Sequence, residues 1–439
     1  MRQTLCYIPE TLFGLPLFGW GLGLGLLLLL IALSHCYQYA RHRKTGDVGG
    51  SIVLLIIGGA ILLFVLPNLA EPERGIPIRG YGMCLFTAII AAFLLAFHLA
   101  KRQNIDTEKL YSLGFWAIIS GFIGARLFYV TEYWQEIFWF NHEGQLLLRE
   151  SLVNVLNFFQ GGLVVLGSIF GGALGAFIFM RCNKMPVLRT FDILVPAMAL
   201  GSAIGRIGCL LNGCCFGCVT DVPWGIVFPP GSLAHAHQIA RHDVFYCGLK
   251  FDEKIIGGKK VLVIAAVQPG SEAESLGLKP KMPLRSIAGW TPQTRQAAVQ
   301  LLLDTQRTTP GEAVPFEFYQ SSDRVVPHQL APAASEVLPV HPTQIYSSIL
   351  ALLLCGTLVF LGSLRFYQRR AGLVFASFLI LYSVGRFLIE FVRTDEDSFF
   401  GTGLTISQNV SILVCLAGIV LFVYVVIRLQ KPCSISPTV

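Results

Sequence analysis

The sequence predicts an all-α polytopic membrane protein with a small α/β domain inserted in an extracytoplasmic loop. Three observations carry this expectation. Of its 439 residues, 54% are hydrophobic and only 13% charged, and the mean hydropathy is +0.63, which places the chain among integral membrane proteins. Its apolar stretches approach the roughly 20 residues that cross a hydrocarbon core. A single long polar interval, about 213–341, interrupts them.

Nine spans are expected, near 13–34, 52–68, 80–100, 111–130, 161–180, 191–212, 342–363, 373–393 and 406–428. The second is the shortest. The first is expected to remain as a spanning helix, since Arg2 is the sole early cation and the segment exceeds a signal-peptide core. Pro16-Leu-Phe-Gly-Trp-Gly and Pro77-Ile-Arg-Gly-Tyr-Gly each introduce an apolar run. Residues 1–78 therefore read as an added pair of helices before a seven-helix core at 79–230 and 338–430.

Lys and Arg orient the spans. Arg41, Arg43 and Lys44, then Lys101, Arg102 and Lys109, then Arg181, Lys184 and Arg189, then Arg365, Arg369 and Arg370 mark one side. The alternate connections carry Glu71 and Glu73, Glu132 and Glu136, and Asp395, Glu396 and Asp397. The positive-inside rule puts the N-terminus outside, the C-terminus in the cytoplasm and the polar interval outside. The net charge of +7 is then topological charge with an affinity for anionic lipid, and nucleic acid is not expected as a partner.

Within the polar interval, Lys260–Val267 reads as a strand, Pro269-Gly270-Ser271 as a capping turn and Glu272–Leu276 as a short helix. Leu284–Ile287 is a second strand. A helix at Thr294–Asp304 carries Ala298, Leu301 and Leu302 on one face, and Val314–Tyr319 is a third strand. This order, with Val267-Gln-Pro-Gly-Ser-Glu-Ala-Glu-Ser-Leu-Gly-Leu-Lys279, resembles a bacterial PDZ domain, placed at 245–325. The resemblance implies a peptide ligand captured by strand addition. Lys281-Met282 stand where Gly-Asp is usual, and no clear carboxylate-binding loop precedes Val261. A spacer or docking module is the competing reading.

The chemistry concentrates in charged residues inside apolar runs. Arg386 and Glu390 lie one helical turn apart within Leu373–Val392, with Arg393 expected on the same side a turn later. A charge near mid-membrane costs about 3 kcal/mol or more, so such groups are paired and functional. A bare ion clamp is the bland reading. Gly205-Arg206-Ile-Gly-Cys-Leu-Leu-Asn212-Gly213, Gly121-Phe-Ile-Gly-Ala-Arg126 and His341-Pro-Thr-Gln344-Ile-Tyr346 fall at similar outward-facing depth. Guanidinium groups suit phosphate because their planar donors engage two oxygens at once, so the set describes a phospholipid headgroup site. Snorkelling to the interface is the alternative for Arg126 or Arg393 taken alone.

Gly-Arg-Ile-Gly through Gly217, Pro223-Trp224-Gly225 with Phe228-Pro229, His-Pro-Thr-Gln-Ile-Tyr and Arg386-x3-Glu-Phe-x-Arg393 together resemble the prolipoprotein diacylglyceryl transferase family. Tyr81-Gly82 and the glycines from Gly161 to Gly172 fit as well. The likeness covers about 78–230 and 340–429. It implies transfer of the diacylglyceryl group of phosphatidylglycerol to the lipobox cysteine of a preprolipoprotein, recognised through its signal peptide, in the bacterial inner membrane. It implies catalytic roles for Arg386, Glu390 and His341. It implies lipid contacts for Arg206, Arg386, Asn212, Tyr81 and Arg126, and no cofactor or metal. His341, Gln344 and Tyr346 match the His-Pro motif, where a role at the helix start competes with a chemical one. Leu166 stands where the family often has a histidine, Cys209 and Cys214 where many members have Asn and Glu, and Ser347 where an acid is usual. The base that takes the proton from the thiol is open among His341, Glu390 and a cysteine.

Twelve cysteines are present, and Cys6, Cys36, Cys84, Cys355, Cys415 and Cys433 read as scattered small hydrophobes. Cys209-x4-Cys214-Cys215-x2-Cys218 is dense. Packed or disulfide-bonded thiols, a thiol role for Cys209 and Cys214, and a metal site remain open there. His235, His237 and His242 are the nearby imidazoles. An intramembrane metalloprotease would need His-Glu-x-x-His, and the His142-Glu143 pair lacks its second histidine. A family relative that kept the fold as a lipid- or lipoprotein-binding scaffold is the remaining alternative.

Overall fold

The structure is a computed structural model. It describes residues 4–12, 15–17, 21–42, 55, 58–59, 62–63, 66–70, 74–134, 154–155, 162, 164–256, 259–292, 294–308, 312–321, 324–330, 337–393 and 403–428. In chain order its main elements are β1 (Thr4–Ile8), α1 (Leu22–His42), β2 (Ile76–Arg79), α2 (Gly80–Arg102), α3 (Thr107–Glu132), α4 (Val165–Cys182) and α5 (Val187–Asn212). There follow α6 (Leu233–Ala240), β3 (Leu249–Ile256), β4 (Lys259–Val267), α7 (Glu272–Ser275), β5 (Leu284–Ile287) and α8 (Arg295–Thr308). β6 (Val314–Ser321), β7 (Arg324–Leu330), α9 (Thr343–Ser363), α10 (Leu373–Glu390) and α11 (Ile406–Arg428) complete the order.

Among the described residues, α2, α3, α5, α9, α10 and α11 are long and apolar enough to cross a membrane, and α1 and α4 carry shorter apolar stretches. The chain is a multi-pass membrane protein. Leu94, Phe170, Leu413 and Val420 are 61% or more exposed, a surface suited to lipid rather than water. The first span shifts from 13–34 to 22–42, because Thr11–Leu12 pairs with Leu15–Pro16 in a small hairpin that ends before the helix. The expected span at 52–68 lies largely outside the described residues. α3 begins at Thr107, ahead of the expected 111, because the Asp106 carboxylate accepts from the backbone N–H of Glu108 at 2.9 Å.

Two compact parts make up the chain: residues 87–204, 346–391 and 396–439 form one, and 1–86, 205–345 and 392–395 the other. In the first, α3 and α4 meet along a glycine seam. A Cβ on Gly124 would lie 2.4 Å from the Gly167 carbonyl oxygen, and one on Gly171 would lie 2.4 Å from that of Ser120. Small residues let membrane helices approach closely enough for backbone contact, which replaces the hydrophobic drive that lipid cannot supply. α10 packs tightly as well: a Cβ on Gly385 would meet Leu350 at 2.5 Å, and one on Gly418 would meet Leu379 at 2.9 Å. The N-terminus of α10 is capped by a neighbouring helix. Asp192 of α5 is buried and accepts from Gly372 N–H at 2.6 Å and Phe375 N–H at 2.8 Å. Gly372 sits at φ +95° and has no side chain to cap with, so the carboxylate arrives from elsewhere.

The second part holds the polar interval. β3 pairs antiparallel with β4, and β5, β6 and β7 form a three-stranded antiparallel sheet. α8 buries Ala298, Val299 and Leu302, and Phe251, Phe316 and Phe318 fill the core. Each such ring contributes about 1.5–3 kcal/mol by leaving water. Ser271 caps α7, accepting from Glu274 N–H, as the turn chemistry predicts. β3, β7 and α6 were not expected. In β3 the buried Leu249 and Phe251 alternate with Lys250 and Asp252, but exposed Glu253, Lys254 and Ile255 break the pattern. β1 and β2 form an unexpected antiparallel pair, Ile8 opposite Ile76.

Candidate functional site

The sequence-predicted residues divide between the two parts. In the first, α10 carries Arg386 and Glu390 at adjoining turns. The Arg386 Nη1 to Glu390 Oε2 distance is 2.7 Å, and the side chains are 19% and 1% exposed. Arg386 Nη2 also donates to Ser407 Oγ at 2.9 Å, and Thr405 Oγ1 donates to Glu390 Oε1 at 3.4 Å. Both hydroxyls stand at the start of α11, where Thr405 and Gln408 exchange hydrogen bonds that cap the helix. Sequence reasoning missed Thr405 and Ser407. The signal was a Thr-x-Ser-Gln cluster opening an apolar run, which reads as a plain helix start.

A carboxylate this deeply buried keeps its charge only with a cation and hydrogen bonds around it. The pair is thus a preorganised ion pair.

Arg126 behaves differently. Its Nε donates to the Val155 carbonyl at 2.8 Å and its Nη1 to that of Gly162 at 2.9 Å, while Nη2 donates to Asn154. The guanidinium fixes a chain segment beside α3 and packs over the Tyr129 ring. Three of its N–H donors thus go to peptide carbonyls. Leu166 falls in the first turn of α4.

The second part gathers Tyr81, Arg206, Cys209, Asn212, Cys214, Cys215 and His341. Gly208 lets the ends of α5 and α2 approach, since a Cβ there would meet Cys84 at 3.0 Å and Tyr81 at 3.3 Å. The loop after α5 is laced onto the His-Pro-Thr-Gln segment. Thr343 Oγ1 donates to the Cys215 carbonyl at 2.7 Å, and Gln344 Nε2 to the Cys214 carbonyl at 2.8 Å. Gly217 N–H donates to the His341 carbonyl, and His341 N–H to that of Cys218. A Cβ on Gly217 would lie 2.7 Å from both His341 Cβ and the Val392 carbonyl, so a side chain there would break the lacing. Gln344 therefore has a structural task, and His341 contributes its backbone to the same lacing. The sequence left its ring's role open.

The expectation for Arg393 is corrected. α10 ends at Glu390, and Val392 accepts from Cys218 N–H at 2.9 Å. The chain has left the helix, so Arg393 does not continue the Arg386 face. Its charge lies near Cys215 instead.

Gly213 at φ +74° and Cys215 at φ +58° turn the chain back on α5. The sulfurs of Cys209, Cys214 and Cys215 lie within 4.8 Å of one another. Cys218 and the three loop histidines do not belong to that group. His235 Nδ1 accepts from Gly231 N–H, His237 packs against Phe216, and His242 meets the Phe251 carbonyl. Hydrogen bonds from Cys209 and then Cys214 hold the Cys215 thiol below its ordinary range, and the guanidiniums of Arg393 and Arg206 add to this. Burial pushes Cys247, by contrast, up to about 12, the behaviour of a packed thiol. Asn212 hydrogen-bonds Cys214, and the Tyr81 phenol feels Arg206 and all three sulfurs.

Comparison with known proteins agrees with this arrangement. The profile of the family described as prolipoprotein diacylglyceryl transferase matches residues 67–424. A phosphatidylglycerol–prolipoprotein diacylglyceryl transferase of Rhodopirellula baltica is 33% identical over 463 aligned residues, 96% of this chain and 88% of its own. The second transferase of that name in Clostridium perfringens is 26% identical over 79% of this chain and 91% of its own. One from Synechococcus elongatus is 26% identical over 83% and 89%. With a matched span of this extent, the chain belongs to the prolipoprotein diacylglyceryl transferase family.

Proposed function

We propose that this chain transfers the diacylglyceryl group of phosphatidylglycerol to the lipobox cysteine of preprolipoproteins, releasing glycerol phosphate. The buried Arg386–Glu390 ion pair carries the reading. A fixed guanidinium in a water-poor setting stabilises the charge that develops on a departing phosphate. Arg206, near Tyr81 and at the end of a spanning helix, offers a second guanidinium of the same kind. Asn212 holds the loop that follows it. His341, Glu390 and a cysteine are the candidates on this reading for the proton of the incoming thiol. Arg126 braces the fold.

The chain works in the bacterial inner membrane with its N-terminus outside and its C-terminus in the cytoplasm. Nine spans, seven of them the catalytic core, follow from the apolar runs, and the charge pattern orients them. The inserted domain at 245–325 is PDZ-like and extracytoplasmic. The antiparallel β3–β4 pair with α8 packed nearby supports that reading. A peptide captured by strand addition is the ligand a PDZ-like fold would take.

The test is expression in cells depleted of their own transferase. A lipobox-containing substrate gains the mass of a diacylglyceryl group if the reading holds. A correctly inserted chain that leaves the substrate unmodified overturns it in favour of the scaffold reading.

A further inference from the structure

The three sulfurs of Cys209, Cys214 and Cys215 have no task in the transfer as described above. They converge from a helix end and a turn held in two left-handed conformations, Gly213 and the non-glycine Cys215. A side chain held at positive φ stores strain that the surroundings must maintain, and such strain gathers at functional sites. The carbonyls of Cys214 and Cys215 are fixed by Gln344 and Thr343, both 1% exposed. The loop is therefore built to present these thiols.

Three thiolates around a tetrahedral or trigonal zinc ion, at about 2.3 Å each, stand about 4 Å apart. The observed sulfurs, all within 4.8 Å, need only small rotations to reach that spacing. A disulfide would use two of the three and leave the third idle. Three protein ligands also leave one position open, the arrangement of catalytic rather than structural zinc. Arg206 lies one turn before Cys209 on the same helix, so the open position neighbours a phosphate-binding group.

We propose that Cys209, Cys214 and Cys215 bind one zinc(II) ion whose open position takes the substrate's lipobox thiol. The inference rests on the transferase reading. The incoming thiol loses its proton to solvent when its sulfur coordinates, because a coordinating thiol is deprotonated outright. The coordinated sulfur then forms a bond to the glyceride carbon that bears the phosphate. The carbon–oxygen bond breaks, and the oxygen leaves with its electron pair as glycerol phosphate, held by arginine. One proton is released overall.

The full chain, purified in detergent under reducing, oxygen-free conditions, is stripped with a chelator and reloaded with zinc alone. One zinc per chain is expected by elemental analysis. Bound zinc should shield Cys209, Cys214 and Cys215 from alkylation in peptide mass spectra and leave Cys218 unshielded. Cys209→Ser and Cys215→Ser should lose the ion, and Cys218→Ser should retain it. In the cobalt(II)-loaded wild type, a lipobox peptide should shift the sulfur-to-metal absorption band, and the same peptide with serine for cysteine should not.

An intact wild-type chain that retains no zinc, shields no cysteine, or carries a disulfide within the cluster overturns the site. If that chain still modifies lipobox substrates, the transferase reading stands without the metal. A chain that binds zinc, but whose cobalt(II)-loaded form shows an unchanged spectrum on adding the thiol peptide, overturns the thiol-activating role.

Discussion

At the residue scale, the buried carboxylate of Glu390 is tolerable only because Arg386 lies 2.7 Å away and Thr405 donates a further hydrogen bond. Removing the guanidinium leaves an unpaired buried acid and takes away a phosphate donor together. Arg386→Ala should therefore lower transfer by about 100-fold or more, measured as diacylglyceryl mass gained per unit of inserted protein; near-normal turnover would refute the role. His235 gives a second expectation. It is buried, accepts from Gly231 N–H through Nδ1, and burial lowers its pKa below the ordinary value. The unfolded chain then binds the extra proton first. The contribution of His235 to stability is complete above about pH 6.5 and declines as pH falls below it. Thermal unfolding of the solubilised chain should show this slope in the wild type, and His235→Gln should flatten it.

At the scale of elements, close approach and borrowed caps hold the helices in place. Gly124 and Gly171 leave no room for a side chain against the facing backbone. Gly171→Leu should separate α3 from α4, and a sharp loss of folded protein on detergent extraction is the expected readout. Asp192→Ala removes the cap of the helix that carries Arg386 and should cost about 1–2 kcal/mol. Asn at this position keeps an acceptor and should recover part of that, which a denaturant titration of the two variants would resolve. Much of this scale was legible beforehand. The apolar runs gave α2, α4, α9, α10 and α11 within a few residues, since lipid demands both length and hydropathy. β3 was not legible, because its exposed half carries Glu253 and Lys254, which mask the alternation of Leu249 and Phe251.

At the scale of the molecule, the polar interval holds a buried core that runs from Ile239 to Leu330 and a helix capped by Ser271. Deleting about 250–330 should leave basal transfer within a few-fold, assayed on a short lipobox peptide. Complete loss from a stably inserted chain would make the domain part of the site.

The sequence alone determined the membrane class, the order of the apolar spans and the Arg386–Glu390 pair. Hydropathy and helical spacing are local properties and need no partner to be read. Tertiary structure decided what each charged or sulfur-bearing group does. It tied Arg126 to backbone carbonyls, took Arg393 off the α10 face, and drew Cys209, Cys214 and Cys215 together while leaving Cys218 and the histidines aside. Those outcomes depend on which backbone carbonyls lie within reach and on two left-handed residues in one loop. No periodicity in the chain records either.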